Sequence, residues 1–337
     1  MLSAAGHPLH TRSLSVTLAH DSAERATFAA YVIDLRKRGF APVGGDLQST
    51  GIIHHMRLDG AVDRVAGRLE RISAQMPAVA FEASAATGGE SCRDLIGRLN
   101  HLEGLSLDDA FARGVGAEIG GPRGCSHILT LTHLLGPTVR WALGADARLH
   151  GSHPTRRAGE RIFRRDVTVD GYEAAFGELR LTLQLNDLHF APAPALCEPM
   201  QRFGAQTEII ASATVTMKDL FVQQLEVHER RRTVEALAPE WRARPDVTAP
   251  LVGQSLRSGV SARLLAHFAD PGDDAPLRDG LLQLAPAIVQ CFAALDIWSL
   301  MPGGGVAGET GGMPDSCYMW RTGGALGNTR KNVTGDQ

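Results

Sequence analysis

Alternation of apolar and polar residues dominates two long stretches of the chain. The first, RSLSVTLAHDSAERATFAAYVIDLRKRGFAP, ends at Pro42, and the second, RRDVTVDGYEAAFGELRLTLQLNDLHFAP, ends at Pro192. In each, a run of period two follows arginine, a turn intervenes, and a longer alternating run closes on Phe-Ala-Pro. Side chains alternate across a strand, so this period predicts paired strands with one buried face. The likeness continues downstream. TGIIHHMRLDGAVDRVAGRLERIS from Thr50 and TEIIASATVTMKDLFVQQLEVHE from Thr207 both lead from Thr-x-Ile-Ile into two alternating segments.

After each strand block the apolar spacing becomes helical. SCRDLIGRLNHLEG and SLDDAFARGVGAEI have that spacing in the first half, with Ser106 and Asp109 as the cap region. In the second half it spans Gln254 to His267 and Leu277 to Leu300, where Pro286 kinks or breaks the helix. Each half then reaches Gly-Gly and a cysteine: Gly120, Gly121 and Cys125, then Gly311, Gly312 and Cys317. The expected fold is therefore α+β, a pseudo-twofold tandem repeat of two units. Residues 1–150 form one and residues 151–337 the other, each a mainly antiparallel sheet with helices on one face. A ligand site is expected at the seam between them.

Composition narrows the function classes. With 337 residues, 44% of them hydrophobic, and a net charge of −3, the chain is globular and has no basic stripe for nucleic acid. The arginines at Arg156–Arg157 and Arg230–Arg232 read as solvated faces. No apolar run reaches the roughly 18 residues that a bilayer needs, and the N-terminus is not that of a signal peptide. Five scattered cysteines suit reduced thiols in a cytoplasm. No nucleotide fingerprint is present, because the glycine-rich PGGGVAG at Pro302 lacks the Gly-Lys-Ser/Thr of a phosphate loop.

Three motifs carry candidate chemistry. In GGPRGCSHILTL, glycines precede a helix whose free amides can hold an anion or a developing oxyanion. Cys125 would sit at that helix start, its thiol partly activated by the dipole, and His127 shares a face with packed core. His54 and His55 lie on a strand, so a single site can use only one of them unless a bulge intervenes. GGMPDSCYMWRTGG gathers Asp315, Tyr318, Trp320 and Arg321 near the end. Tyr318 and Arg321 could bind a phenolate or carboxylate and Trp320 could stack on a ring. The plain alternative is a strap closing the second unit, with Asp315 and Arg321 paired at the surface. No His-x-x-x-His or Cys-x-x-Cys pair is present, so no metal is expected.

GGPRGCSHILTL, preceded by GLSLDDAF and further upstream by IIHHM, resembles the bacterial domain-of-unknown-function 2889 family over roughly the first 145 residues. Family members carry Gly-Gly-x-x-Gly-Cys-x-His-Leu and Ile-His-x-Met, and His55 stands where many have aspartate. By association the chain is also similar to phenylpropanoid formaldehyde lyases of lignin-dimer catabolism. That resemblance implies a lyase needing no cofactor. A base would take a primary alcohol's proton, carbon–carbon cleavage would expel formaldehyde, and a para-phenol would store electrons as a quinone methide. His127, His55 and Tyr318 are the expected catalytic groups, and Cys125, Arg321, Trp320, Asp315, Trp298 and His54 the expected substrate contacts. The expected partners are a small aromatic substrate and, for assembly, a second copy of the chain, with neither nucleic acid nor membrane. A non-catalytic binder of small aromatic acids and a metal-dependent hydrolase are the rival readings.

Overall fold

The computed structural model describes residues 6–38, 41–43, 46–85, 87–151, 154–175, 177–257, 259–295 and 314–326. Eleven strands are defined among them: β1 (His7–His20), β2 (Arg25–Arg36), β3 (Ala41–Val43), β4 (Asp46–Gln48), β5 (Gly51–Asp63), β6 (Arg68–Ala78), β7 (Arg161–Ala175), β8 (Glu178–Phe190), β9 (Phe203–Thr216), β10 (Val222–Thr233) and β11 (Arg242–Ala243). Nine join one sheet in the order β11-β10-β9-β8-β7-β1-β2-β5-β6, and β3 pairs with β4 apart from it. Every pairing is antiparallel. The chain is thus α+β, as its alternation predicts. The two halves share a single sheet, however, because β1 pairs with β7 along most of its length.

One face of that sheet is the core. His10, Arg12, Leu14, Val16, Leu18 and His20 of β1 are buried, and so are Ala26, Phe28, Ala30, Val32, Asp34 and Arg36 of β2, while the residues between them are mostly half-buried. Of the helices α1 (Phe111–Ile119), α2 (Ser126–His150), α3 (Pro245–Thr248), α4 (Val260–His267), α5 (Ala275–Leu281) and α6 (Leu284–Ala294), α2, α5 and α6 pack on the sheet, α3 on β10, α1 on α2 and α4 on α5. Gly136 of α2 lets α1 approach closely, since a Cβ there would stand 2.3 Å from the Phe111 ring.

The helical stretches are shorter than their spacing predicts. Ile96–Leu102 is a 3-10 helix, and α4 occupies only the end of the expected Gln254–His267 segment. Pro286 falls in the first turn of α6, where no helical N–H is lost, so the break comes ahead of it between α5 and α6. Ala110 is the N-cap of α1 and no side chain caps the helix, neither Ser106 nor Asp109; Asp108 Oδ1 accepts from the Ala110 amide in the turn ahead of it. Arg156 is likewise no solvated residue: its buried guanidinium donates to Asp146 Oδ1 at 2.5 Å and to the Phe190 carbonyl at 2.7 Å. Among the described residues, no helix is long and apolar enough to cross a membrane.

Buried ion-pair clusters interrupt the apolar core. In one, Arg165 of β7 binds both carboxylate oxygens of Asp187 at 2.7 Å and also Asp279 of α5 and Thr138 of α2. His189 lies beside it, its ring 4.7 Å from that of Phe163. Burial, reinforced by the Arg165 charge, lowers His189 from 6.5 to about 3. A histidine lowered on folding takes up its proton in the unfolded chain first, so its stabilising share is present above pH 6.5 and is lost as pH falls toward 3. Between pH 7 and pH 5 this costs about 2 kcal/mol. Urea titrations at the two pH values should show a smaller loss for His189→Leu than for the wild type, and equal losses would contradict the assignment.

Candidate functional site

Another buried cluster is centred on Asp34, whose strand position is inward and whose side chain is fully buried. Arg12 on the neighbouring β1 faces it across the register and grips both oxygens, Nε to Oδ1 at 2.9 Å and Nη2 to Oδ2 at 3.0 Å. Burial alone would raise the Asp34 carboxyl, but the Arg12 charge and the His10 hydrogen bond outweigh it and hold it well below the usual carboxylate range. Three imidazoles surround this carboxylate. His10 Nε2 of β1 lies 3.2 Å from Oδ1, and His127 Nε2 from the first turn of α2 lies 3.4 Å from Oδ2. His54 Nδ1 of β5, which pairs with Asp34 in the sheet register, stands 3.7 Å from Oδ2.

The rings of His54 and His127 stack with centroids 3.7 Å apart. Burial lowers His54 to about 4 and His127 well below its ordinary value, in each case against the pull of Asp34, and lowers His10 as well. At neutral pH the cluster therefore holds one carboxylate, one guanidinium and three neutral imidazoles. Gln290 of α6 brings its carboxamide nitrogen to 3.2 Å from His127 Nε2, which closes the cluster from the second half of the chain.

The segment before α2 has the shape that its glycines predict. Gly121 has φ +56°, and a Cβ on Gly124 would lie 2.2 Å from the Ile119 carbonyl oxygen. Cys125 follows directly before α2, its Sγ 3.8 Å from His127 Nδ1 and 3.8 Å from Met56 Sδ. Its thiol is not activated. Burial pushes it up to about 11, and the nearby amides of Ile128 and His127 offset this only in part. All five cysteines are free thiols.

His54 and His127 are thus brought together, with Cys125 beside them. His55 is not: it is half-buried on the opposite face of β5, as adjacent strand residues must be. The terminal motif forms a strap, described from residue 314 onward, which docks on this corner of the molecule. The Tyr318 amide donates to the Gly124 carbonyl at 2.9 Å, and the Asp315 carbonyl lies over Gly121. Its polar groups are engaged locally. Arg321 pairs with Glu90 and lies 4.0 Å over the Tyr318 ring, Trp320 meets Phe81 edge-on at 5.7 Å, and Asp315 accepts from the Thr322 amide and hydroxyl rather than pairing with Arg321. Trp298, Gly311 and Gly312 lie outside the described residues.

Asp34, His10, Arg12 and Gln290 escape a motif search. A signal for the first three was nevertheless present: each occupies a position in the inward phase of an otherwise apolar strand. Gln290, on a helix remote in sequence, carried none.

The model of a family described as a protein of unknown function, DUF2889, matches residues 10–140. Over those residues the chain is similar to the DUF2889 family. The DUF2889 segment contains every member of the cluster except Gln290, which lies beyond it, as does the strap. No curated protein and no solved structure matches the chain.

Proposed function

We propose that the chain is a cytoplasmic enzyme whose reactive centre is Asp34, His54 and His127, and that it acts as a lyase on a small phenolic substrate. The observation that carries this reading is the pair of neutral imidazoles stacked beside a carboxylate that Arg12 keeps ionised. Perturbed titratable clusters concentrate at functional sites, and this one, unlike the cluster around Arg165, sets two imidazoles against a single carboxylate.

The reaction proceeds in two steps. The phenolate expels the oxygen substituent at the benzylic carbon, forming a quinone methide. The centre then takes the proton of the neighbouring primary alcohol, and the carbon–carbon bond breaks to release formaldehyde. Its electron pair forms the stilbene double bond and restores the phenolate, and the expelled oxygen leaves with the proton. The strap beside Gly124 supplies the aromatic surroundings, with Tyr318 and Arg321 near the phenol.

The finer architecture belongs to the same proposal: two units related by a pseudo-twofold between β1 and β7. In support, Arg12 faces Asp34 and Arg165 faces Asp187, each pair 22 residues apart on consecutive strands. Opposite Asp187 the register places Thr207, where His54 stands opposite Asp34, so the second unit has no counterpart of His54.

The test is turnover on a panel of phenolic phenylpropanoid dimers, with formaldehyde and stilbene followed together. Equal amounts of both are expected. Tight binding of the dimers without any product would replace the lyase with the binding-protein reading.

A further inference from the structure

We propose that Asp34, His54 and His127 hold one divalent transition-metal ion, of the class that accepts imidazole and carboxylate together. The inference rests on reading this cluster as the reactive centre, and it names how the centre activates a hydroxyl.

Geometry comes first. Each of the three residues offers a ligand atom, and these atoms lie within 4.8 Å of one another. They come from β2, β5 and the first turn of α2, three elements whose packing fixes their approach. The second observation is an unsatisfied atom. His54 is 6% exposed, yet its Nδ1 has no hydrogen-bond partner and points at Asp34 from 3.7 Å. Buried polar atoms left alone cost about 1–3 kcal/mol, so such an atom calls for an ion or ligand.

His127 points the same way. With Gln290 donating through the carboxamide nitrogen that stands 3.2 Å away, His127 Nε2 is the acceptor and the ring proton is assigned to Nδ1, toward Cys125. Nε2 then confronts Asp34 Oδ2 at 3.4 Å, acceptor against acceptor, which is repulsive until a cation lies between them. A cation there takes the Nε2 lone pair over from Gln290. Arg12 supplies the hydrogen-bonding partner that metal-binding carboxylates characteristically have, fixing the orientation of Asp34.

Two nitrogens and one oxygen favour zinc, iron(II), cobalt(II) or manganese(II) over calcium or magnesium. Three protein ligands leave a coordination position open, as catalytic sites do. The substrate's primary alcohol fits that position, where the metal would lower its pKa.

The experiment uses the full chain, stripped with chelator and titrated with cobalt(II) while its visible absorbance is followed, with zinc retained after gel filtration as a second count. About one equivalent per chain is expected. Asp34→Asn, His54→Gln and His127→Gln should each weaken binding by about 10-fold or more, whereas His101→Gln, on the surface beside Glu118, should not. Circular dichroism checks that each variant folds. His127→Cys keeps a donor and should add a thiolate-to-cobalt band in the near ultraviolet. Substoichiometric binding, or unchanged affinity in folded His54→Gln and His127→Gln, overturns the proposal. Binding is read without substrate, so a metal-loaded chain that cleaves no dimer refutes the lyase alone, and a metal-free chain that turns over refutes the metal alone.

Discussion

Arg165→Met should destabilise the chain by about 3–5 kcal/mol, because it strands the buried Asp187 carboxylate, whereas Asp279 keeps its pairing with Arg278. Asp187 and Asp279 are both buried against the same guanidinium, which binds one through two nitrogens and the other at 2.7 Å. Methionine fills the volume but leaves Asp187 without its cation. A loss of this size is a large part of the 5–15 kcal/mol that holds a typical domain together. Urea denaturation measures it directly. Adding Asp187→Leu to the methionine variant should recover most of the loss, since the cost lies in the unpaired charge and not in the missing pair. A single variant within about 1 kcal/mol of the wild type would mean that water or a rearranged side chain reaches the carboxylate.

His127→Gln should lower turnover by about 100-fold or more, the usual range for removing a group that handles a proton in the transition state. Glutamine preserves much of the side chain's reach and its hydrogen-bonding ability beside Gln290, so the melting temperature should move little. The contrast between a large kinetic effect and a small structural one separates a working imidazole from one that only fills the core. His55→Gln, on the outer face of β5, should leave both quantities nearly unchanged.

The sheet was legible because period-two alternation survives along long strands, and both halves show it. The union of the halves into one sheet was not, since β1 and β7 meet across more than a hundred residues and no local pattern records which strand edges pair. Helix ends were misplaced where tertiary packing overrides apolar spacing, as ahead of Pro286. At the site, His54, Cys125 and His127 stood out through their motifs, and the opposed faces of His54 and His55 followed from strand geometry. The choice between those two did not, because either phase could have been the inward one. The expectation of no metal rested on ligand spacing within one element, whereas Asp34, His54 and His127 come from three. Charged residues in the inward phase, Arg12 and Asp34 above all, were the overlooked sign: such a position is tolerated only when its charge is paired.

Kinetics of the cluster and strap variants, measured side by side on a dimer that the wild type cleaves, test the account most directly. His54→Gln and His127→Gln should lose kcat by about 100-fold or more with folding intact, while Tyr318→Phe and Arg321→Gln should mainly raise KM. Wild-type kcat in folded His54→Gln and His127→Gln, with the loss appearing instead in the strap variants, would move the chemistry away from Asp34 and contradict the account.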